Sequence, residues 1–159
     1  MSKRGKRKAA PGDIATNRKA SHRYEFIEKI EAGIELVGSE VKSLRAGQAQ
    51  IADAYATITD GEVWLHGVHI PPYAPASMEN HDPDRPRKLL LHRYEIERLI
   101  GRLQRKGQTL IPLRIYFKGS RAKVELAVAK GKEQRDRRRE IRDRDVQREI
   151  ERELSRRNR

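Results

Sequence analysis

Two stretches of this chain alternate apolar and polar residues with a period of two. Ile111, Leu113, Ile115 and Phe117 form the first, and Ala122, Val124, Leu126 and Val128 the second. In a strand, alternate side chains share a face, so each stretch reads as a half-buried β-strand. The link Lys118-Gly119-Ser120-Arg121 suits a tight hairpin between them. A hairpin alone is at best marginally stable in water, so its apolar face has to be covered by further strands or helices.

Further strands are available upstream. Tyr24, Phe26 and Ile30 fall at even spacing, and after Ala32-Gly33 the rhythm continues through Ile34 and Leu36 to Gly38. That pattern predicts two strand pieces, or one long bent strand with a glycine break. Strand patterns return at 53–59 and 62–70, joined by Asp60-Gly61, a strong hairpin signal. Lone Trp64 in the second of these reads as core. Ser39 can cap a short helix in which Val41 and Leu44 share a face and which ends near Gly47. Residues 71–86 hold five of the seven prolines and read as a long irregular loop. Ile96, Leu99, Ile100 and Leu103 then mark one face of a helix that stops near Gly107. Short strands, few helices and glycine-marked bends predict a mainly β fold: a small closed antiparallel β-barrel, OB-like, with two or three short accessory helices.

The positive charge lies at the two ends. Residues 1–23 carry eight Lys/Arg against one Asp, and residues 130–159 carry thirteen against eight acidic residues. The stretch between has fifteen against fourteen, within a net charge of +13. A near-neutral body with two basic arms fits a folded domain that docks on a polyanion, nucleic acid above all. Residues 1–16 then form a disordered basic leader, 17–130 the RNA-binding barrel and 131–159 a basic, helix-capable tail. No stretch approaches the roughly 20 apolar residues of a membrane span. No apolar segment follows the basic N-terminus as it would in a secretory signal. The absence of cysteine excludes disulfides, thiolate metal sites and cysteine nucleophiles, and fits a cytoplasmic protein.

From Glu133 onward there is no Gly or Pro, and opposite charges recur three or four apart, as in Glu149 with Arg152. Val146, Ile150 and Leu154 make a thin apolar stripe, too narrow for firm packing or a long coiled coil. Two readings stand: a solvated helix without a task, or a segment that is disordered when free and becomes helical when its arginines meet phosphate.

The junction Gly131-Lys132-Glu133-Gln134-Arg135-Asp136-Arg137-Arg138 closely resembles the Gly-Lys-x-x-x-Asp-Lys-Arg signature of the SsrA-binding protein family, the bacterial partners of transfer-messenger RNA. Asn17-Arg18-Lys19-Ala20 with His22 and Tyr24, Glu31-Ala32-Gly33, Glu40 through Gly47, and Arg87-Lys88-Leu89-Leu90-Leu91 match that family in the same order. The resemblance runs from about Asn17 to about Leu154. Arg137 stands where the family usually has Lys, and Arg135 where relatives often carry an aromatic residue or His.

The resemblance implies an OB-like barrel and a role in ribosome rescue by trans-translation. The barrel would bind the tRNA-like domain of transfer-messenger RNA (tmRNA) and deliver it, with elongation factor Tu, to a stalled 70S ribosome. The tail would enter the empty mRNA channel, become helical and reach the decoding centre. No cofactor or metal is implied, and a monomer is expected when free. Arg18, Lys19, His22, Glu31, Lys42, Arg45, Arg87, Lys88, Leu90 and His92 become the RNA-binding candidates. Gly131, Lys132, Arg135, Asp136, Arg137, Arg138, Ile150 and Leu154 become the ribosome-contacting candidates of the tail.

Chemistry supports the set unevenly. The Lys and Arg residues suit phosphate, although a single surface cation is most often just solvated. His22 can stack or hydrogen-bond, and Leu90 with His92 can meet an exposed base. Glu31 should be repelled by phosphate, which leaves a turn-stabilising role, a contact to a base amino group or the orientation of an arginine. His66 and His69, at i and i+3 in a strand, point to opposite faces and do not suggest metal. Two rivals remain. A general ribosomal or RNA-chaperone OB protein would bind any structured RNA through its arms. A small nuclease would use His22 or His92 as acid or base.

Overall fold

The computed structural model describes residues 12–74, 80–132 and 134–157, the last with side chains from 141 onward. In chain order the elements are β1 (Asp13–Thr16), α1 (Ala20–Arg23), β2 (Tyr24–Ile34), α2 (Gly38–Arg45), β3 (Tyr55–Thr59) and β4 (Glu62–His66). They continue with β5 (Arg87–Leu90), α3 (Arg93–Leu103), β6 (Gln108–Lys118), β7 (Arg121–Gly131) and α4 (Gln134–Arg157). The strands run β6-β3-β4-β5-β2-β7, and β7 pairs back onto β6, so six antiparallel strands close into a ring. This is the mainly β, closed antiparallel architecture expected from the alternating patterns. Among the described residues no helix is long and apolar enough to cross a membrane.

The inside of the ring is filled by Val63, Leu65, Leu89, Leu110, Ile115, Val124, Leu126 and Val128, with Leu99 of α3 and Leu44 of α2 closing it. A second, smaller cluster joins Ile111, Leu113, Ala127 and Ala129 to Ala20 of α1, with Tyr24 and Phe26 packed against it. This overturns the reading of 111–117 as one apolar face. The β6–β7 register shifts between Pro112 and Arg114. A bulge moves every later side chain to the other face, so Ile115 and Phe117 join the main core while Ile111 and Leu113 do not. Pro112 has no N–H to give to the ladder and is tolerated at such a break.

β2 is one continuous strand, and its irregularity lies between Phe26 and Glu28, not at Gly33. Its ladder with β7 runs from the Tyr24–Gly131 pair to the Gly33–Lys123 pair. The expected hairpin turn is present: Asp60 and Gly61 both have positive φ (52° and 73°), as a tight I′ turn requires.

Several expectations need correction. Asp13–Thr16 is not leader but a strand, paired with β6 at Arg114–Tyr116 and held by an ion pair from Arg114 to Asp13 at 2.7 Å. Residues 1–11 of the leader lie outside the described residues. Ser39 lies inside α2, whose first turn is closed instead by Glu40 accepting from the Val37 N–H at 3.1 Å. Trp64 is half-buried, because the inward positions of β4 belong to its neighbours Val63 and Leu65. Arg87–Leu90, read only as a basic motif, is strand β5 between β4 and β2.

Gly67 ends β4 with φ +76°, and a Cβ there would lie 2.9 Å from the Asp53 carbonyl oxygen. Gly67→Ala is therefore expected to cost on the order of 1–3 kcal/mol, read as a lowered midpoint in chemical denaturation.

Candidate nucleic-acid interface

The RNA-binding candidates separate into two groups at opposite ends of the β2–β7 ladder. At the first end, α1 carries His22, and Arg18 and Lys19 precede it; all three side chains are exposed. Asn17 anchors this segment, with its N–H bonded to the Leu113 carbonyl at 2.7 Å and its Nδ2 donating to the Pro112 carbonyl at 3.2 Å. The tail leaves from the same place. Gly131 pairs with Tyr24, and the Lys132 N–H bonds the Arg23 carbonyl at 2.9 Å. The opening motif and the root of the tail, far apart in sequence, are one surface.

At the far end, Glu31 faces the β6–β7 hairpin. It accepts a hydrogen bond from the Tyr116 hydroxyl and lies 3.4 Å from Lys118 Nζ. The Tyr116 bond, with Lys118, holds the Glu31 carboxyl below its ordinary pKa despite some desolvation. Burial and the adjacent carboxylate together push the Tyr116 phenol up to about 12. Arg114 lies over the Tyr116 ring at 4.2 Å and pairs with Asp13 and Glu125. Glu31 thus belongs to a polar lattice across β2, β7, β6 and β1. Glu31→Gln is expected to lower the Tyr116 pKa part of the way toward 10, since the charge opposing phenolate is gone. Ultraviolet titration of the tyrosinate form would read that shift.

Arg45, in the last turn of α2, lies 6.0 Å from the Phe117 ring, so it also belongs to the hairpin end. Lys42, one turn earlier, lies 5.7 Å from the Tyr73 ring. Both side chains are held near aromatic surface with exposed charge, a geometry compatible with phosphate contact. Leu90 packs its Cβ against Gly33 and is 51% exposed. Its neighbours divide as their alternation requires: Leu89 is core and Leu91 packs at the core edge. His92 precedes α3, exposed and stacked on Tyr94 with centroids 5.5 Å apart. Tyr94 is itself 69% exposed. It was missed in the sequence because it sits outside the basic motif, although an aromatic residue at the first turn of a helix flanked by Arg93 was a usable signal.

One candidate changes role. Arg87 is fully buried, its guanidinium spent on Glu40, the Val68 carbonyl at 2.8 Å and the Pro83 carbonyl at 3.0 Å. It cannot reach RNA without unfolding the loop that covers it; a buried arginine is a structural counter-ion here. Lys88, on the other face of β5, is half-exposed and pairs with Glu62 at 3.1 Å.

In the tail, α4 holds Arg135, Asp136, Arg137 and Arg138 in its first turns, and their side chains lie outside those described. From Ile141 to Arg157 every side chain is exposed, including Ile141, Val146, Ile150 and Leu154. The thin stripe is left open to solvent, as its width predicts.

Residues 14–156 match a family profile described as SmpB protein. The chain belongs to that family. The SsrA-binding protein of Mycolicibacterium paratuberculosis is 54% identical over 159 aligned residues, covering 96% of this chain and 94% of the relative. That of Oleidesulfovibrio alaskensis is 53% identical, covering 95% and 98%. A solved structure described as tmRNA-SmpB on a journey to the center of the bacterial ribosome contains a chain 50% identical to this one. It aligns with a TM-score of 0.64 over 75% of this chain and 84% of that one. The match spans the sequence of both the strand ring and nearly all of α4.

Proposed function

We propose that this chain binds the tRNA-like domain of tmRNA and delivers it to stalled ribosomes for trans-translation, acting by binding and not by catalysis. The observation that carries the reading is family membership across 14–156, with relatives named SsrA-binding proteins and a structural neighbour described with tmRNA and the ribosome. The exposed cations and aromatics of the ring supply selectivity, through phosphate and unpaired-base contacts. Helix α4 supplies the ribosomal probe. At about 1.5 Å per residue its 24 residues span roughly 36 Å, long enough to lie along a channel vacated by mRNA.

From Ile141 on the described side chains of α4 are all exposed, so the helix exchanges with disordered forms when the protein is free and is fixed by arginine–phosphate contacts when bound. Occupancy of the channel by mRNA then excludes it. The delivery complex includes elongation factor Tu, and the protein works in the cytoplasm as a monomer before it meets its RNA.

The test is equilibrium binding of the full chain to the tmRNA tRNA-like domain at physiological salt, with bulk tRNA in excess. Selective binding that survives the competitor is expected. Complete displacement by bulk tRNA would reduce the protein to a general basic RNA binder, with the steep salt dependence such binding shows.

A further inference from the structure

The end of the ring at the root of the tail carries a cavity of about 290 Å³ that the phosphate-contact reading does not use. It lies between α1, the 52–55 segment and the start of β6, and Asn17, Lys19, Arg23, Asp53, Tyr55 and Thr109 are among its walls. Its volume is near the lower end of the roughly 300–1,000 Å³ typical of small-ligand sites.

Three features make it more than a surface dent. Tyr55 is a prepared platform. Its ring stacks on His66 with centroids 5.2 Å apart and planes 22° from parallel, and His66 is itself fixed by a 2.9 Å hydrogen bond to Thr57. Tyr55 lines the cavity and stays 48% exposed although His66 is stacked on its ring. Asp53, whose side chain is 86% exposed, supplies an accessible carboxylate acceptor in the wall. The cations at the mouth are loosely engaged: Arg23 lies 3.8 Å from Asp53, and Lys19 is exposed.

A flat ring to stack on, a carboxylate acceptor in the wall and cations at the rim together match one ligand chemistry. We infer that this cavity receives a single unpaired RNA nucleotide, its base stacked on Tyr55, its exocyclic amino group turned to Asp53, and its phosphate held by Lys19 and Arg23. Aromatic stacking is tolerant of base identity, while the acceptor wall favours adenine, cytosine or guanine over uracil, which has no exocyclic amino group. The inference rests on the RNA-binding reading above and gives that surface a defined pocket. The nucleotide can belong to tmRNA or to small-subunit ribosomal RNA, since the pocket adjoins the tail through the Lys132–Arg23 bond.

The test uses the full chain and its Tyr55→Ala and Tyr55→Phe variants, with two RNA probes measured separately: the tmRNA tRNA-like domain and isolated small ribosomal subunits. Tyr55→Ala is expected to weaken binding to one probe by about tenfold, in the range that loss of one stacked base produces. Tyr55→Phe should restore it. The affected probe identifies the source of the nucleotide. In the same complex, dimethyl sulfate footprinting should show an unpaired adenine or cytosine protected by the wild-type chain and by Tyr55→Phe, and reactive again with Tyr55→Ala. Thermal melts of all three proteins control for folding. If Tyr55→Ala is folded, binds both probes as tightly as wild type and exposes no base, the pocket is not a nucleotide site. If the wild-type chain itself binds neither RNA, the broader reading fails instead.

Discussion

Cutting the chain after Lys132 is expected to leave affinity for the tmRNA tRNA-like domain within about twofold of the full chain, while tagging of peptides on stalled ribosomes falls to background. The cut is set by geometry: Gly131 completes the β2–β7 ladder and the Lys132 N–H closes on Arg23, so removing either would damage the ring itself. Beyond them, the described side chains from Ile141 on are exposed and contribute nothing to the folded core. Loss of tmRNA binding in the truncated protein would show that tail charge, not the ring, holds the RNA. Normal tagging would remove the tail from the mechanism. Replacing Asp136, Arg137 and Arg138 together by alanine should reproduce the truncation, with binding retained and tagging lost.

The largest expected stability effect comes from Glu40. This side chain is fully buried, accepts from the Val37 N–H, and meets Arg85 and Arg87, which in turn clamp the loop before β5. Removing one member of a buried ion pair strands the other's charge, so Glu40→Ala should destabilise by about 3–5 kcal/mol. A melting point lower by about 10 °C or more would follow.

Burial alone would raise the Glu40 pKa, but the hydrogen bonds from Arg85, Arg87 and Val37 outweigh it and hold the carboxyl below its ordinary value. A depressed carboxylate pKa in the fold means that its stabilisation is complete above the unfolded-state pKa. It is lost as pH falls through the folded one. Stability of the wild-type chain should therefore drop below the ordinary glutamate range, and Glu40→Gln should flatten that drop. An unchanged acid limb in the variant would locate the acid sensitivity elsewhere.

How legible this fold was depended on whether a residue's role was local. The Asp60-Gly61 turn, the β6–β7 hairpin and three of the four residues read as the face of α3 (Ile96, Leu99 and Leu103, with Ile100 exposed) were readable because turn chemistry and periodicity act over a few residues. The bulge at Pro112 was not, since a register shift shows only in the partner strand. The same holds for β1, a four-residue strand fixed by Arg114 from about a hundred positions away. Arg87 misled for a related reason: a basic motif looks alike whether its arginine meets phosphate or a buried glutamate, and only the packing of Glu40 decides. The two-ended division of the site was equally invisible, because it depends on which strand ends coincide in space.

That division has a mechanical consequence. From the Tyr24–Gly131 pair to the Gly33–Lys123 pair the β2–β7 ladder covers eight residue steps of β7, β2 having one extra residue at its irregularity, or about 27 Å at some 3.4 Å per residue. A double-stranded rod of this kind cannot stretch, so whatever is gripped near Glu31 and Arg45 stands at a set distance from the point where the tail begins. The ladder is a ruler. Deleting two paired positions from both strands would keep every side chain on its own face and shorten the ruler by roughly 7 Å.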